Sequence, residues 1–229
     1  MIDAALFDTL IKLLAAWLLL AGAALWAQRQ RLGLSRRMLI ASLRGLLQLL
    51  ALAFILHWIF DIQSSVAQAL IIVVFCLLAG HNSAGHFDGS RLAWLASTGG
   101  LICACLVTLP WLAMTGSIAD ETRTLVPLGS MIAANGMNAI SIMLERLKSG
   151  SNAGVGLKSA MIPTIDTLRM VGLVHMPGIF VGMVLAGAPA LDAAVAQLII
   201  LYMIVTSSFT ACLVSFLIMN HLNKGQASL

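Results

Sequence analysis

Block after block of this chain is apolar enough and long enough to cross a lipid bilayer. A span needs about 20 mostly apolar residues, because the hydrocarbon core is about 30 Å thick and a helix rises about 1.5 Å per residue. Ala4–Trp26 is the first such block, and others follow to within ten residues of the C-terminus. Sixty per cent of the 229 residues are apolar and only 10% are charged. A water-soluble fold is excluded on that balance. The expected fold is all-α, a polytopic transmembrane helix bundle forming a single domain over residues 1–229.

Seven spans are expected: Ala4–Trp26, Met38–Phe60, Ile62–Gly80, Leu92–Thr115, Leu125–Leu144, Met170–Ala188 and Ala194–Met219. Orientation follows from Lys and Arg, which stay in cytoplasmic loops. Arg29, Arg31, Arg36, Arg37, Arg44, Arg91, Arg146, Lys148, Lys158, Arg169 and Lys224 all fall on one side, eleven of thirteen basic residues. The opposite loops hold Asp61, Asp120, Glu121, Arg123 and Asp192. The N-terminus is therefore expected outside and the C-terminus inside. The net charge of +4 reads as this topology signal, with no nucleic-acid partner implied. The first block does not read as a secretory signal, because Asp3 and Asp8 replace a basic n-region. Cys76, Cys103, Cys105 and Cys212 lie in apolar blocks and read as reduced packing residues.

Residues 145–170 form the longest interior connection. SGSNAGVG, Ser149–Gly156, reads as a flexible cytoplasmic linker. Lys158–Val171 reads as a short helix at the cytoplasmic surface, with Pro163 in its first turn and Asp166 and Arg169 paired on one face.

Polar groups within spans are costly in lipid and become functional candidates. Span five carries two amides, Asn135 and Asn138, among small residues that allow close helix contact. They read either as interhelical glue or as a pathway lining. Met131 and Met137 could add thioethers to such a path, although Met in spans also packs. Arg44 and Gln48, four apart in span two, are further candidates for a pathway or a subunit contact. Asp8 and Lys12 read as a structural pair. His57 and Asp61, also four apart, offer two weak ligands for a metal, which do not make a site alone. His81, His86 and Asp88 cluster in a solvated loop. Gly178, Gly182 and Ala186 form a ridge at four-residue spacing, suited to close packing against another helix, within the chain or in an expected homodimer. Span seven holds Thr206, Ser207, Ser208 and Thr210, whose hydroxyls can return to their own helix.

Catalytic signatures are missing. GVGLKS, Gly154–Ser159, is the nearest approach to a phosphate-cradling loop, and Leu157 separates its glycine from its lysine. No H-E-x-x-H or G-x-S-x-G occurs. The chain is expected to be no enzyme and to bind no cofactor, so active transport would draw on an ion gradient or a separate ATPase.

The segment Ile162–Gly187, IPTIDTLRMVGLVHMPGIFVGMVLAG, resembles the signature of the bacterial iron-export ABC transporter permeases (FetB-like), a family related to a plant aluminium-tolerance protein. Ile162, Pro163, Asp166, Val171, Gly172, Leu173, Val174, Pro177, Gly178, Gly182, Ala186 and Gly187 carry the likeness, with Arg169 where the family tends to have Lys. Pro127, Met131, Ile132, Ala133, Asn135 and Met137 resemble a second block, and Arg44, Gln48 and Leu49 a third. The resemblance implies the membrane half of an ABC exporter in the bacterial inner membrane. It would export a metal ion, iron first, on ATP hydrolysed by a soluble partner ATPase, to which Pro163, Asp166 and Arg169 would couple. The family's helical excursion between spans five and six is shorter here by about thirty residues. The competing reading is an ATPase-independent small-solute carrier or channel.

Overall fold

The computed structural model describes residues 4–62, 64–118 and 122–226. Asp3, Gln63, Asp120 and Glu121 lie outside the described residues. In lipid the backbone must satisfy its own hydrogen bonds, and the chain does so almost entirely with helices. These are α1 (Ala4–Arg29), α2 (Ser35–Phe60), α3 (Ser65–Ala84), α4 (Arg91–Met114), α5 (Thr122–Lys148), α6 (Ala153–Met170), α7 (Gly178–Leu185) and α8 (Ala190–Gln226). Among the described residues, the only extended pairing is an isolated bridge between Val171 and His175.

The chain forms two compact units. The first, Met1–Asp61, is the α1–α2 hairpin. Arg31 (φ 53°) and Gly33 (φ 67°) turn the chain between its helices. Trp17 donates its indole N–H to Ser42 Oγ across the hairpin at 3.2 Å. The second unit, Ile62–Leu229, holds α3 to α8. Its core is built on Cys76, Leu101, Ile132, Ile140, Met143, Leu144 and Cys212. Apolar attraction between helices is weak in lipid, so close approach and interhelical hydrogen bonds do the holding. Gly129 receives Ile72, Gly136 receives Leu101, and Gly100 lies against Ser215 and the Ala211 carbonyl. Ser83 Oγ donates across α3–α5 to the Met137 carbonyl at 3.1 Å.

Six helices among the described residues are long and apolar enough to span: Phe7–Arg29, Ser35–Phe60, Ser65–Ala84, Arg91–Met114, Arg123–Lys148 and Ala190–Leu222. They match six of the seven expected spans within a few residues. Met170–Ala188 differs. It is not one helix: the chain leaves α6 at Met170 and regains a helix only at Gly178. Gly172 takes φ 80°, a left-handed conformation that stops a helix, and Pro177 caps α7 with no N–H to give.

The second half of the expected linker, from Ala153, is already helix. Gly150 (φ 84°) ends α5, and Asn152 begins α6 by accepting the Val155 N–H at 2.9 Å. Only Ser149–Asn152 separates the two helices. Pro163 therefore lies ten residues past the start of α6, not in its first turn.

Candidate functional site

The two span-five amides share a cleft with α6. Asn135, Asn138, Ala139 and Ile142 of α5 face Ala160, Pro163, Thr164 and Thr167 of α6, and Leu201 and Ile204 of α8 complete the wall. The space is about 140 Å³. The small residues Ala139 and Ala160 are both fully buried and let α6 approach α5 closely. Gly156 continues that contact, since a Cβ there would lie 3.4 Å from the Met143 carbonyl oxygen.

Asn135 is half-buried and donates Nδ2 to the Met131 carbonyl at 2.9 Å. Thr167 returns its hydroxyl to the Pro163 carbonyl at 2.9 Å. Asn138 is exposed to the cleft and has no hydrogen-bond partner among the described residues. The cleft thus offers neutral amide and hydroxyl dipoles and no carboxylate. Such groups can replace part of a hydration shell without trapping an ion, which is what a conduction path needs.

The structure sorts the other candidates. Pro163 lines the cleft, whereas Asp166 and Arg169 pair at 3.7 Å with both side chains exposed. Met131 contributes its carbonyl rather than its sulfur. Met137 accepts from Asn82 Nδ2 at 3.3 Å on its sulfur, which joins α3 to α5 outside the cleft. Arg44 and Gln48 are exposed on α2, in the N-terminal unit. His57 Nε2 and Asp61 Oδ2 stand 3.6 Å apart and solvent-exposed. Among the described residues, no three His, Cys, Asp or Glu side chains converge on a metal position. His86 faces Glu145 of α5 at 3.9 Å, and within the loop Asp88 accepts the Ser90 N–H. Gly178 and Gly182 meet nothing within 4 Å of where a Cβ would stand. Neither glycine is filled by a neighbour among the described residues of the second unit. The four cysteines are free.

Sequence reasoning missed two features. Thr164, Thr167, Leu201 and Ile204 belong to the cleft only because α6 folds back on α5. Ser97 and Ser215 are buried on α4 and α8 with no partner for their hydroxyls among the described residues, and nothing in their spacing marks them; Ser208, one of the span-seven hydroxyls read from sequence, is buried and likewise unpartnered. A separate groove of about 470 Å³ runs between α4 and α8 past Trp111 and Tyr202. Of the polar residues read from sequence it contains Thr206.

The family described as Uncharacterised protein family (UPF0014) matches residues 10–155 and 152–222. The probable iron export permease protein FetB of Escherichia coli K12 is 24% identical over 232 residues, covering 90% of each chain. The UPF0014 membrane protein STAR2 of Oryza sativa subsp. japonica is 26% identical, covering 90% of this chain and 80% of its own. The protein ALUMINUM SENSITIVE 3 of Arabidopsis thaliana is 22% identical, covering 90% and 84%. No solved structure matches.

Proposed function

The chain belongs to the uncharacterised protein family UPF0014, and on that basis we propose that it is the membrane subunit of an ABC exporter. It exports a metal ion, iron first, on ATP hydrolysed by a separate soluble ATPase in the bacterial inner membrane. It binds no cofactor and catalyses no reaction itself. The observation that carries this reading is the cleft where Asn135 and Asn138 meet the wall of α6. A helix that begins a four-residue turn after α5 and ends beyond the cleft can act as a lever. Its first turn is at the cytoplasmic side, within reach of a soluble protein, and Pro163 lies on the cleft. The relative from Escherichia coli, named a probable iron export permease, supports the solute class.

An ABC exporter has two membrane halves, and this chain supplies one. A homodimer with two-fold symmetry is the economical assembly. The ridge offers Gly178 and Gly182, with nothing within 4 Å of a Cβ there, and the exposed Ala186.

The second reading is a carrier or channel without an ATPase. It draws on the connection Ser149–Asn152, which leaves little cytoplasmic surface between α5 and α6 for a partner. Purification of the tagged chain from its own host separates the two. The exporter reading expects a nucleotide-binding protein to co-purify and its ATP hydrolysis to rise with iron. A chain that purifies alone and moves solute without ATP would refute it.

A further inference from the structure

The register of α6 against α5 carries a consequence for the two charges near its end. Gly156 lies beside Met143, with the Leu147 side chain 3.7 Å from its Cβ position. Pro163 and Thr167, further along α6, share the cleft with Asn135 and Asn138, which come earlier on α5. The two helices are therefore antiparallel, and α6 runs back into the bundle from the cytoplasmic end of α5. Depth follows from helix rise. Asn135 is ten residues past Leu125, about 15 Å into the span, and Ile204 on the same cleft is ten residues past Ala194, again about 15 Å. Both helices put the cleft near the middle of a core about 30 Å thick. Thr167 reaches that level, and Asp166 and Arg169 are within two residues of it.

Beyond the break, α7 packs on α8 and enters it through the turn at Gly187 (φ 93°). The 18 residues of α6 and the eight of α7 rise about 27 and 12 Å, together more than one crossing requires.

We propose that α6 and α7 are the halves of one interrupted sixth crossing. It carries the Asp166–Arg169 pair to mid-depth, where a second copy of this chain covers it. The residues of α6 that face the cleft are Ala160, Pro163, Thr164 and Thr167. At about 100° per residue, Arg169 falls on the opposite flank and Asp166 on the side. Both are exposed in the single chain, at 74% and 58%. A charged pair cannot be left facing lipid and instead faces protein or water. The same crossing presents the open ridge of Gly178 and Gly182. A two-fold axis beside it lets the carboxylate of one copy meet the guanidinium of the other, so the surface complements itself. This rests on the dimeric permease reading and names its interface. It also moves Asp166 and Arg169 out of reach of a soluble ATPase, which would instead meet the α5–α6 turn.

Single cysteines at Lys158, Met170 and Ala188, read over the native four, test the crossing with a charged, membrane-impermeant maleimide. Lys158→Cys should react from the cytoplasmic side and Ala188→Cys from the outer side. Met170→Cys should react more than about tenfold slower than Lys158→Cys, because a thiol in hydrocarbon stays protonated and only the thiolate attacks. Met170→Cys reacting from the cytoplasm as fast as Lys158→Cys would overturn the proposal and return α6 to the surface. The interface is tested by oxidation of Arg169→Cys and of Leu173→Cys, the second in case loss of the charge impairs folding. A disulfide-linked dimer with either supports it. Inserted chains that stay monomeric with both, or that cross-link only within one chain to a native cysteine, overturn it. None of these readouts depends on metal or ATP, so a failure of the exporter reading would show separately, as absent export by the unmutated protein.

Discussion

Gly100 is where a single methyl group should do most damage. It lies on α4 where that helix crosses α8, the most extensive helix pairing in the molecule. A Cβ added there would fall well inside van der Waals contact with Ser215 Oγ and the Ala211 carbonyl oxygen, and 3.1 Å from the Ser215 nitrogen. Two of these three atoms are backbone, so no rotamer change relieves the clash. The helices must separate by roughly 1 Å, and a gap of that size forfeits a quarter to a half of each dispersion contact along the seam. Overpacking typically costs about 1–3 kcal/mol, and with rigid backbone opposite, Gly100→Ala should cost about 3 kcal/mol. The assay is reversible denaturant titration in detergent, followed by far-ultraviolet circular dichroism. Gly182→Ala is the control, since nothing stands within 4 Å of its Cβ position. Gly100→Ala should lower the midpoint clearly, and the control should not. A variant within about 0.5 kcal/mol of the unmutated protein, the range of ordinary surface substitutions, would refute the close approach of α4 to α8.

Asn138→Leu should fill the cleft with an apolar side chain and reduce export several-fold in loaded vesicles while leaving insertion intact; unchanged export would remove the cleft from the path. Ser83→Ala breaks the α3–α5 hydrogen bond to the Met137 carbonyl and should cost about 1 kcal/mol in the same denaturation assay. Gly182→Leu should weaken the dimer, seen as a shift toward monomer on size exclusion, without unfolding the chain. Reporters placed at Ser151 and Gly187 should report opposite sides of the membrane, and agreement between them would break the loop-charge topology.

Six of the spans were legible because a long apolar block in lipid has few alternatives to a helix. The break in Met170–Ala188 was not, because apolar content measures transfer into lipid and is blind to a broken backbone. Gly172 and Pro177 were both visible in Ile162–Gly187, yet they signal a stop only once the left-handed turn and the cap are seen. Charge allows two readings of the same region. Lys158, Asp166 and Arg169 made the segment before Met170 look like a surface helix, and a partner helix is what can cover such groups at depth. Asn135 and Asn138 stood out from sequence because amides are rare in apolar blocks. Their company could not be read, since Thr164 and Thr167 are ordinary residues until α6 lies against α5.

By itself, then, the sequence determined the solvent of this protein, its helical class and, through Arg and Lys, its expected orientation. These depend on how each segment partitions between water and hydrocarbon, a property that adds up along the chain. Only the tertiary structure decided which polar groups share a cleft, which glycines are filled by a neighbour and which are open. Those depend on register between helices more than 20 residues apart, where a shift of one residue turns a helix by about 100° and presents a different face.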